Sequence, residues 1–402
     1  MKILIIKMRF PYPPFAGTDH VSFNLIKALS EKNEITLICH VRSKENLNDV
    51  PVLEKYCKEI IPVFFPTPKN LLGSLWKRFK REFFLFFCLI PRDVSDCTSK
   101  EIGKVIKRKL KEEKFDLVQI EYFYAAKYIK YIKNAVKTIL SNDAFFITQK
   151  QMLKYSKGLK AKIVNFFEFQ ATKRYELKMY KKFDWVFFIS SKDEEIIKKH
   201  IRLTKTKVIP IGFEYDEEFE NFEIEKGSLI FVGGMRAYFN IDSVLYFCKD
   251  ILPLIEKEIP EVKLYIVGES PQNEIKNLSY RGNIIVTGSV PDVKTFIRKS
   301  EVYVAPLRIG TGIKTKIIEA LACAKPIVTT SIGVQGLEFE NGKNIIVADD
   351  PKDFANNVID LLKNPVKRKE LSENARKLFC EHYHLTSVKS KIQDIYSSLI
   401  SE

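Results

Sequence analysis

The stretch VYVAPLRIGTGIKTKIIEALACAKPIVTT, residues 302–330, contains an apolar run, a glycine-bearing loop, an apolar helical segment and a second apolar run. The runs at 302–307 and 326–331 are short and rich in β-branched residues, so they predict strands, and the segment between them predicts a helix. Two strands joined through a helix lie parallel in one sheet. The stretch therefore predicts an α/β domain whose glycine loop lies at the carboxyl end of a strand.

The glycine loop is predicted to bind an anion. It is not a P-loop, because Ile313 stands before Lys314 where that motif has glycine. Thr311 or Gly312 is expected to begin the helix, which leaves unpaired amides at its positive end. Lys314 and Lys316 then oppose the helix dipole by roughly 0.3–1 kcal/mol each, a penalty that a bound anion would relieve. The alternative is an ordinary surface loop.

Strands and helices alternate through the whole chain, which predicts parallel sheets covered by helices. The segment 208–228 interrupts this alternation and predicts a linker, because it is acidic and contains Pro210 and Gly212. The predicted strands are 2–6, 34–40, 59–65, 117–121, 137–141 and 185–190, then 228–234, 262–268, 283–290, 302–307, 326–331 and 344–349.

The chain has 402 residues, more than one core usually supports, so two domains are predicted. We assign residues 1–207 to an N-terminal domain and 208–382 to a C-terminal domain. Residues 383–402 are predicted to form a helix that packs back on the N-terminal domain. The loops that follow 234, 268, 290 and 307 are expected to line one crevice, since ligands in such sheets bind beyond the carboxyl ends of the strands.

The positive charge is confined to the first half. Residues 1–200 hold 39 Lys and Arg against 22 Asp and Glu, a net +17, while the remaining 27 against 28 give −1. This distribution suggests that one domain meets a polyanion, and a solvated basic surface is the alternative. No nucleic-acid-binding motif is present, so a membrane surface is expected and nucleic acid is not.

Other patterns exclude several classes of protein. Seven scattered cysteines without a Cys-x-x-Cys pair favour neither a disulfide framework nor a zinc site. The longest apolar run, 83–90, falls far below the roughly 20 residues of a membrane span, and the N-terminus is charged too soon for a signal peptide. Gly-x-Gly-x-x-Gly is absent after the first strand, which makes a dehydrogenase unlikely. A cytoplasmic protein without cofactor or metal is predicted.

With these patterns the chain resembles the retaining glycosyltransferases of family 4, also described as glycosyl transferases group 1. The resemblance spans nearly the whole chain and is strongest in FVGGMRAYFNIDSVLYFCKDILPLI (231–255), in 286–330 and in GVQGL (333–337). PYPPFAGTDH (11–20) and FFISSKDEEII (187–197) add weaker matches. The family implies the GT-B fold, in which two Rossmann-like domains face each other and the donor lies in the cleft between them.

The resemblance also implies a site. Glu319 occupies the position of the carboxylate that grips the donor ribose, but Thr311 stands where many members carry a further Glu. Arg236 is present after the first strand of the C-terminal domain, whereas Asn240 and Ile241 stand where a Lys is expected. The expected catalytic residues are Lys314, Arg236 and Asp143, and the expected substrate-binding residues are Gly17, Gly233, Gly234, Val290, Gly310, Thr311, Gly312, Ile313 and Glu319.

Lys314 is expected to balance the departing diphosphate without a metal, and Lys316 is expected to matter less. Asp143 follows Asn142, which stands at the position of a His found after this strand in many members. Asp143 is therefore expected to orient the acceptor or to contact the sugar, and a strand-end turn is the alternative.

The segment 71–90 predicts an amphipathic helix with a basic flank. Its apolar stripe is Leu72, Leu75, Trp76, Phe79, Phe83, Phe86 and Ile90, beside Lys77, Arg78, Lys80 and Arg81. Such a helix can lie in an anionic membrane interface, and a core helix with a basic outer face is equally compatible with the pattern.

The predicted function is transfer of a sugar, with retention, from a nucleotide-sugar donor to a glycan or lipid-linked acceptor of surface polysaccharide synthesis. The alternatives are a nucleotide-sugar epimerase on the same fold and, less favoured, a basic nucleic-acid-binding protein.

Overall fold

The chain forms two compact units. The computed structural model describes residues 1–14, 17–41, 45–65, 70–156, 158–203, 205–215 and 223–399. One unit comprises Met1–Gly212 together with Val388–Glu402, and the other comprises Phe213–Ser387. Part of the predicted linker, residues 216–222, lies outside the described residues.

The N-terminal unit contains a seven-stranded parallel sheet. Its strands are β1 (Lys2–Lys7), β2 (Glu34–Val41), β3 (Glu59–Phe64), β4 (Leu117–Glu121), β5 (Val136–Ser141), β6 (Trp185–Phe188) and β7 (Thr206–Val208). Their order is β3-β2-β1-β4-β5-β6-β7, so the order reverses between β1 and β4. The sequence predicted six of these strands. It missed β7, whose three half-buried residues are too few to show a pattern.

Helices connect these strands. They are α1 (Gly17–Ser30), α2 (Val50–Glu54), α3 (Leu71–Cys88), α4 (Arg92–Cys97), α5 (Lys100–Glu112), α6 (Phe145–Lys154), α7 (Leu159–Tyr180) and α8 (Ser191–Lys198). The strand β4 is buried along its whole length, as expected for a central strand covered on both faces.

The C-terminal unit repeats this arrangement with six parallel strands. They are β8 (Ser228–Val232), β9 (Lys263–Val267), β10 (Ile284–Gly288), β11 (Val302–Ala305), β12 (Ile327–Thr329) and β13 (Ile346–Val347), in the order β10-β9-β8-β11-β12-β13. The helices of this unit are α9 (Tyr238–Tyr246), α10 (Leu252–Glu258), α11 (Asn273–Lys276), α12 (Val293–Lys299), α13 (Thr315–Ala322), α14 (Pro351–Lys363) and α15 (Pro365–His382). The last helix, α16 (Leu385–Ser398), belongs to the N-terminal unit from Val388 onward. The predicted α/β class with two parallel sheets is confirmed.

Two helix boundaries differ from the sequence prediction. The helix α13 begins at Thr315, with Lys314 as its N-cap, rather than at Thr311 or Gly312. Gly310 and Gly312 have φ values of 133° and 71°, which a right-handed helix cannot contain. The amides of Thr311 to Ile313 therefore belong to a loop.

The helix α3 ends at Cys88, because Leu89 adopts a left-handed conformation with φ 48°. Ile90 thus leaves the predicted apolar stripe and packs against the core of the N-terminal unit. Among the described helices, none is long and apolar enough to cross a membrane.

Candidate functional site

The predicted donor residues gather at the carboxyl ends of four neighbouring strands. Gly233 and Gly234 follow β8, Gly268 follows β9, Val290 follows β10, and the loop 306–314 follows β11. The strand order reverses between β8 and β11. Ligands of open α/β sheets bind at such a switch point, because the two connections leave it in opposite directions and open a crevice.

The turns after β8 and β9 approach each other so closely that a side chain on Gly268 would overlap the backbone of Gly233. A Cβ on Gly268 would lie 2.0 Å from the carbonyl oxygen of Gly233. A Cβ on Gly233 would lie 2.7 Å from the Lys316 Nζ and 2.8 Å from the Asn240 side chain. The missing side chains therefore allow the strand ends and the start of α13 to approach each other.

An ion pair attaches the beginning of the glycine loop to α9. The guanidinium of Arg308 donates from Nε and Nη2 to both carboxylate oxygens of Asp242, at 3.0 and 2.6 Å. The same guanidinium lies 4.3 Å from the centre of the Tyr246 ring. A bidentate pair with a nearly buried carboxylate fixes orientation as well as distance, so the loop has a defined starting point.

Lys314 closes the glycine loop on itself. Its ammonium donates to the carbonyl oxygens of Thr311, at 2.7 Å, and of Gly312, at 2.9 Å. A Cβ on Gly310 would lie 3.2 Å from the Lys314 Cε, so this glycine makes room for the lysine stem. An anion bound at this loop would compete with two carbonyls for the same ammonium.

Lys316 is the second residue of α13, and its side chain reaches the turn after β8. It donates to the Asn240 Oδ1 at 2.6 Å, and its ammonium lies 4.5 Å from the centre of the Phe231 ring. Burial lowers the pKa of Lys316 to about 7, although the nearby Glu319 carboxylate acts to raise it. The sequence does not predict this contact, because a side-chain direction cannot be read from spacing in a short helix.

Glu319 is half-buried on the same helix, between the buried Ile318 and Ala320. Burial is the main cause that raises the pKa of Tyr303, and the Glu319 carboxylate adds to it. Glu319 thus shares its surroundings with Lys316 and with the β11 side chain Tyr303, close to the loop.

The remaining predicted residues of this unit are more peripheral. Arg236 is exposed, and its Nε donates to the Ser270 Oγ at 2.9 Å, beside the turn that follows β9. The missing Cβ of Gly234 points toward Glu269, 3.6 Å away. Val290 is half-buried in the loop after β10.

In the N-terminal unit, Asp143 and the start of α1 lie around Tyr122. Gly17 begins α1, and the next residue, Thr18, hydrogen-bonds to the Tyr122 side chain. Burial, followed by the Asp143 carboxylate, raises the pKa of Tyr122. Tyr122 has φ 72°, which is strained for a bulky residue and is found preferentially at functional sites. No sequence pattern points to this residue.

Buried charges hold the start of α1 beside the ends of β1 and β4. The Lys7 ammonium lies 3.5 Å from Asp19 and 3.2 Å from Glu121, and all three side chains are nearly inaccessible. The half-exposed Arg9 contacts Asp19 at 3.1 Å. Charges are tolerated in such an interior only when they are paired, so this cluster fixes the start of α1 at the carboxyl ends of β1 and β4.

The turn that carries Asp143 is held by two buried carboxylates. Glu176 accepts hydrogen bonds from the amides of Phe145 and Phe146, and burial raises the pKa of Glu176 to about 8. Asp193 accepts a hydrogen bond from the Ala144 amide. These contacts position the beginning of α6.

Asn142, which precedes this turn, is buried with an unsatisfied amide. It is 4% exposed, and neither its Oδ1 nor its Nδ2 has a hydrogen-bond partner within the described part of the chain. A buried group left unpaired costs about 1–3 kcal/mol, so this position is one where a ligand could complete the hydrogen bonding.

Comparison with known proteins identifies a related family. Residues 226–364, which contain the glycine loop and α13, match the family described as Glycosyl transferases group 1. The chain resembles glycosyltransferases of that group, as its sequence predicts, and its assignment to family 4 stays a prediction. Its two Rossmann-like units have the GT-B fold, which confirms the predicted fold class.

Similarity to individual known proteins extends over nearly the whole chain. An uncharacterized 44.6 kDa protein in the cps region of Klebsiella pneumoniae is 24% identical, over 97% of this chain and 98% of its own length. The crystal structure of TarM matches with a TM-score of 0.73 at 13% identity, over 100% of this chain and 99% of its own. The Anabaena protein HepE, solved with UDP and glucose, matches with a TM-score of 0.66 at 14% identity, over 99% and 100% of the two chains.

The glycine turn offers a direct test of the site's packing. We expect Gly268→Ala to lower the melting temperature of the chain strongly, because its Cβ would overlap the Gly233 carbonyl. Gly288→Ala is the matched control, since Gly288 also has a positive φ but nothing lies within 4 Å of its Cβ position. Its cost should be limited to the roughly 1–2 kcal/mol of backbone strain. Equal melting temperatures of the two variants would show that the close approach is not required.

Proposed function

We propose that this chain is a retaining glycosyltransferase that transfers a sugar from a nucleotide-sugar donor to a lipid-linked glycan precursor. The observation that carries the proposal is the set of Lys314, Lys316 and Glu319 around a close-packed glycine turn at the strand switch point. Phosphates require cations and free amides, and a ribose diol requires an acceptor. Lys314 and Lys316 supply the cations, and Glu319 supplies the acceptor, in one place.

The proposed chemistry places growing negative charge on the nucleoside diphosphate as the sugar leaves. The loop amides at Thr311 to Ile313 and the ammonium of Lys314 would stabilise this charge without a metal, since fixed positive groups act most strongly where charge develops. The presence of UDP in the HepE structure is compatible with such a donor. Glu319 would accept hydrogen bonds from the ribose hydroxyls.

We expect Glu319→Ala to weaken binding of the nucleotide sugar by roughly 1.5–3 kcal/mol, the value of a hydrogen bond to a charged group. Isothermal titration against UDP-, GDP- and ADP-sugars measures it, with Glu370→Ala on the exposed face of α15 as the control. Unchanged donor affinity in a folded Glu319→Ala variant would remove the ribose assignment.

Lys314→Ala should lower kcat more than it raises the KM for the donor, because the charge that this lysine balances is largest in the transition state. Steady-state kinetics with the donor that binds would measure both constants. A raised KM with intact kcat would make Lys314 a binding residue and reject its role with the leaving group.

The acceptor is assigned to the basic N-terminal unit. Asp143 and the unsatisfied amide of Asn142 lie at the carboxyl end of β5, where a polar acceptor could replace the missing hydrogen bonds. We propose that Asp143 orients the acceptor hydroxyl. The K. pneumoniae relative in a cps region is compatible with a polysaccharide precursor as acceptor.

The helix α3 supports the lipid-linked form of the acceptor. Only Leu85 of this helix is fully buried, whereas its apolar residues Leu71, Leu72, Leu75, Trp76, Phe79, Phe83 and Phe87 are exposed by 43–77%. A core helix would bury this stripe, so the pattern favours a helix that lies at an interface.

A second helix extends the exposed apolar surface. Phe86 of α3 contacts Phe167 of α7, with 5.0 Å between ring centres. Leu159, Ile163 and Phe166 on the same part of α7 are also exposed. The exposed apolar residues of α3 named above, together with Leu159, Ile163 and Phe166 of α7, are called the apolar face. Basic side chains of Arg78 and Lys80 flank it, so its charge is complementary to an anionic lipid surface.

We expect a variant with Lys77, Arg78 and Lys80 all changed to Glu to lose salt-sensitive flotation with anionic liposomes. Each basic residue near such a surface contributes on the order of 1 kcal/mol, and salt screens this attraction. Arg81 is kept, because it pairs with Glu82 and Asp96 and its reversal would disturb the fold.

The control variant changes Lys104, Lys107 and Lys111 to Glu on the exposed side of α5, with the same change in net charge. It should float like the wild type. If both variants lost flotation equally, or if the wild type did not float at low salt, the apolar face would not be a membrane-binding surface.

The reaction itself is tested by incubating the full chain with each nucleotide sugar, with and without a lipid extract. Transfer predicts a glycosylated lipid whose formation depends on the extract. Interconversion of the nucleotide sugar without the extract would instead identify an epimerase, and release of free sugar alone would leave transfer to lipid unsupported.

A further inference from the structure

Lys316 occupies a setting that the sequence did not predict. Its ammonium lies over the turn after β8, where a Cβ on Gly233 would approach it to 2.7 Å. Asn240 near the start of α9 accepts a hydrogen bond from it at 2.6 Å. The Asn240 amide is itself oriented, because its Nδ2 donates to the Gly234 carbonyl at 2.9 Å. Two elements therefore hold this lysine at one point of the crevice.

The ammonium retains unused hydrogen-bonding capacity. Lysine has three N–H donors, and Asn240 is the one acceptor found for Lys316 among the described residues. No carboxylate forms an ion pair with it in the same described part of the chain. Such a cation is only partly compensated in its enclosed position, so an anionic group would be stabilised beside it.

The position of Lys316 also bears on the lysine that was expected on α9 and is absent from the sequence. The resemblance led us to expect a lysine on α9 at Asn240 or Ile241, in addition to Arg236. The Arg236 side chain is exposed and donates to Ser270, and Asn240 is neutral. The ammonium of Lys316, which comes from α13, lies next to the Asn240 side chain instead.

We infer that Lys316 supplies the cation that contacts the donor phosphates beside the Gly233 turn, in place of a lysine on α9. This inference rests on the proposed function, since it needs a phosphate-bearing donor. Lys314 then acts from the loop side and Lys316 from the β8 side. A Lys316 variant should consequently lose more than the minor contribution that the sequence suggested.

Proton uptake is a consequence that a purely structural lysine would not produce. Burial lowers the pKa of Lys316 to about 7; among the charged groups, Glu319 acts to raise it and Lys314 to lower it further. The strand β8 and the helix α9 also pack against Lys316, and the side chains that they contribute, Phe231 and Asn240, are neutral. A bound diphosphate favours the charged form and raises the pKa again.

The direction of the pH effect follows. Below pH 7 the free chain already carries the proton, so affinity for the diphosphate is at its plateau. Above pH 7 the proton must be taken up when the ligand binds, so affinity falls as pH rises until it passes the raised pKa of the bound state. The ligand does not mask this effect, since a terminal phosphate with pKa about 6 is ionised throughout that range.

The experiment is isothermal titration of the full chain with UDP, GDP and ADP at pH 8, in two buffers of different ionisation enthalpy. For the nucleotide that binds, we expect uptake of close to one proton, roughly 0.9 for a pKa of about 7. Lys316→Met should lose at least tenfold in affinity and show no uptake. Lys316→Arg should recover affinity without uptake, since arginine stays charged.

Lys299→Met, on the exposed side of α12, is the control and should match the wild type. Melting curves check that each variant is folded, and recovery by Lys316→Arg separates loss of charge from loss of structure. A wild type that binds, with Lys316→Met unchanged in affinity and uptake, would overturn this inference and leave the proposed function standing. Loss of uptake in Lys314→Ala, with uptake retained in Lys316→Met, would also overturn it. Failure of the wild type to bind any of the three nucleotides would overturn the proposed function itself.

Discussion

Two contacts join α9 to the segment that follows β11, and the geometry of the candidate site depends on them. Arg308 holds Asp242 at the beginning of the glycine loop, and Lys316 holds Asn240 at its end. Between these points the chain makes a loop with two positive-φ glycines and then starts α13. Because both ends are attached to the same helix, the loop keeps its position relative to β8. Glycines at 233 and 268 are needed so that the strand ends can lie close enough for these contacts.

The N-terminal unit uses buried charge in a comparable way. Lys7 and Arg9 balance the charges of Asp19 and Glu121 and fix α1 against the strand ends, while Glu176 and Asp193 fix the start of α6. The side-chain amide of Asn142, between these fixed points, has no hydrogen-bond partner among the residues that the structure describes. A rigid frame around an unsatisfied polar group is expected of a binding site, since the frame prevents the group from relaxing into internal hydrogen bonds.

Much of this arrangement could be predicted from the sequence. Long apolar runs such as residues 117–121 identify buried parallel strands, because a strand covered on both faces has no polar alternation. The start of α13 was predicted too early, since spacing alone cannot show that Gly310 and Gly312 adopt positive φ. The contact between Lys316 and Asn240 could not be predicted for a similar reason: the two residues are 76 positions apart, and only the fold brings them together. The exposure of α3 was also undecidable, since an amphipathic pattern fits a core and a membrane interface equally well.

The central claim is that the glycine turn after β8 and the loop after β11 together bind the diphosphate of a nucleotide donor. Hydrogen–deuterium exchange of the full chain, with and without UDP, GDP and ADP in turn, tests it most directly, because exchange reports which backbone amides a ligand protects. The account predicts slower exchange in residues 233–240 and 308–316 with the nucleotide that binds, and little change in α14 and α15. A nucleotide that bound while both segments exchanged at the same rate as in the free chain would contradict it.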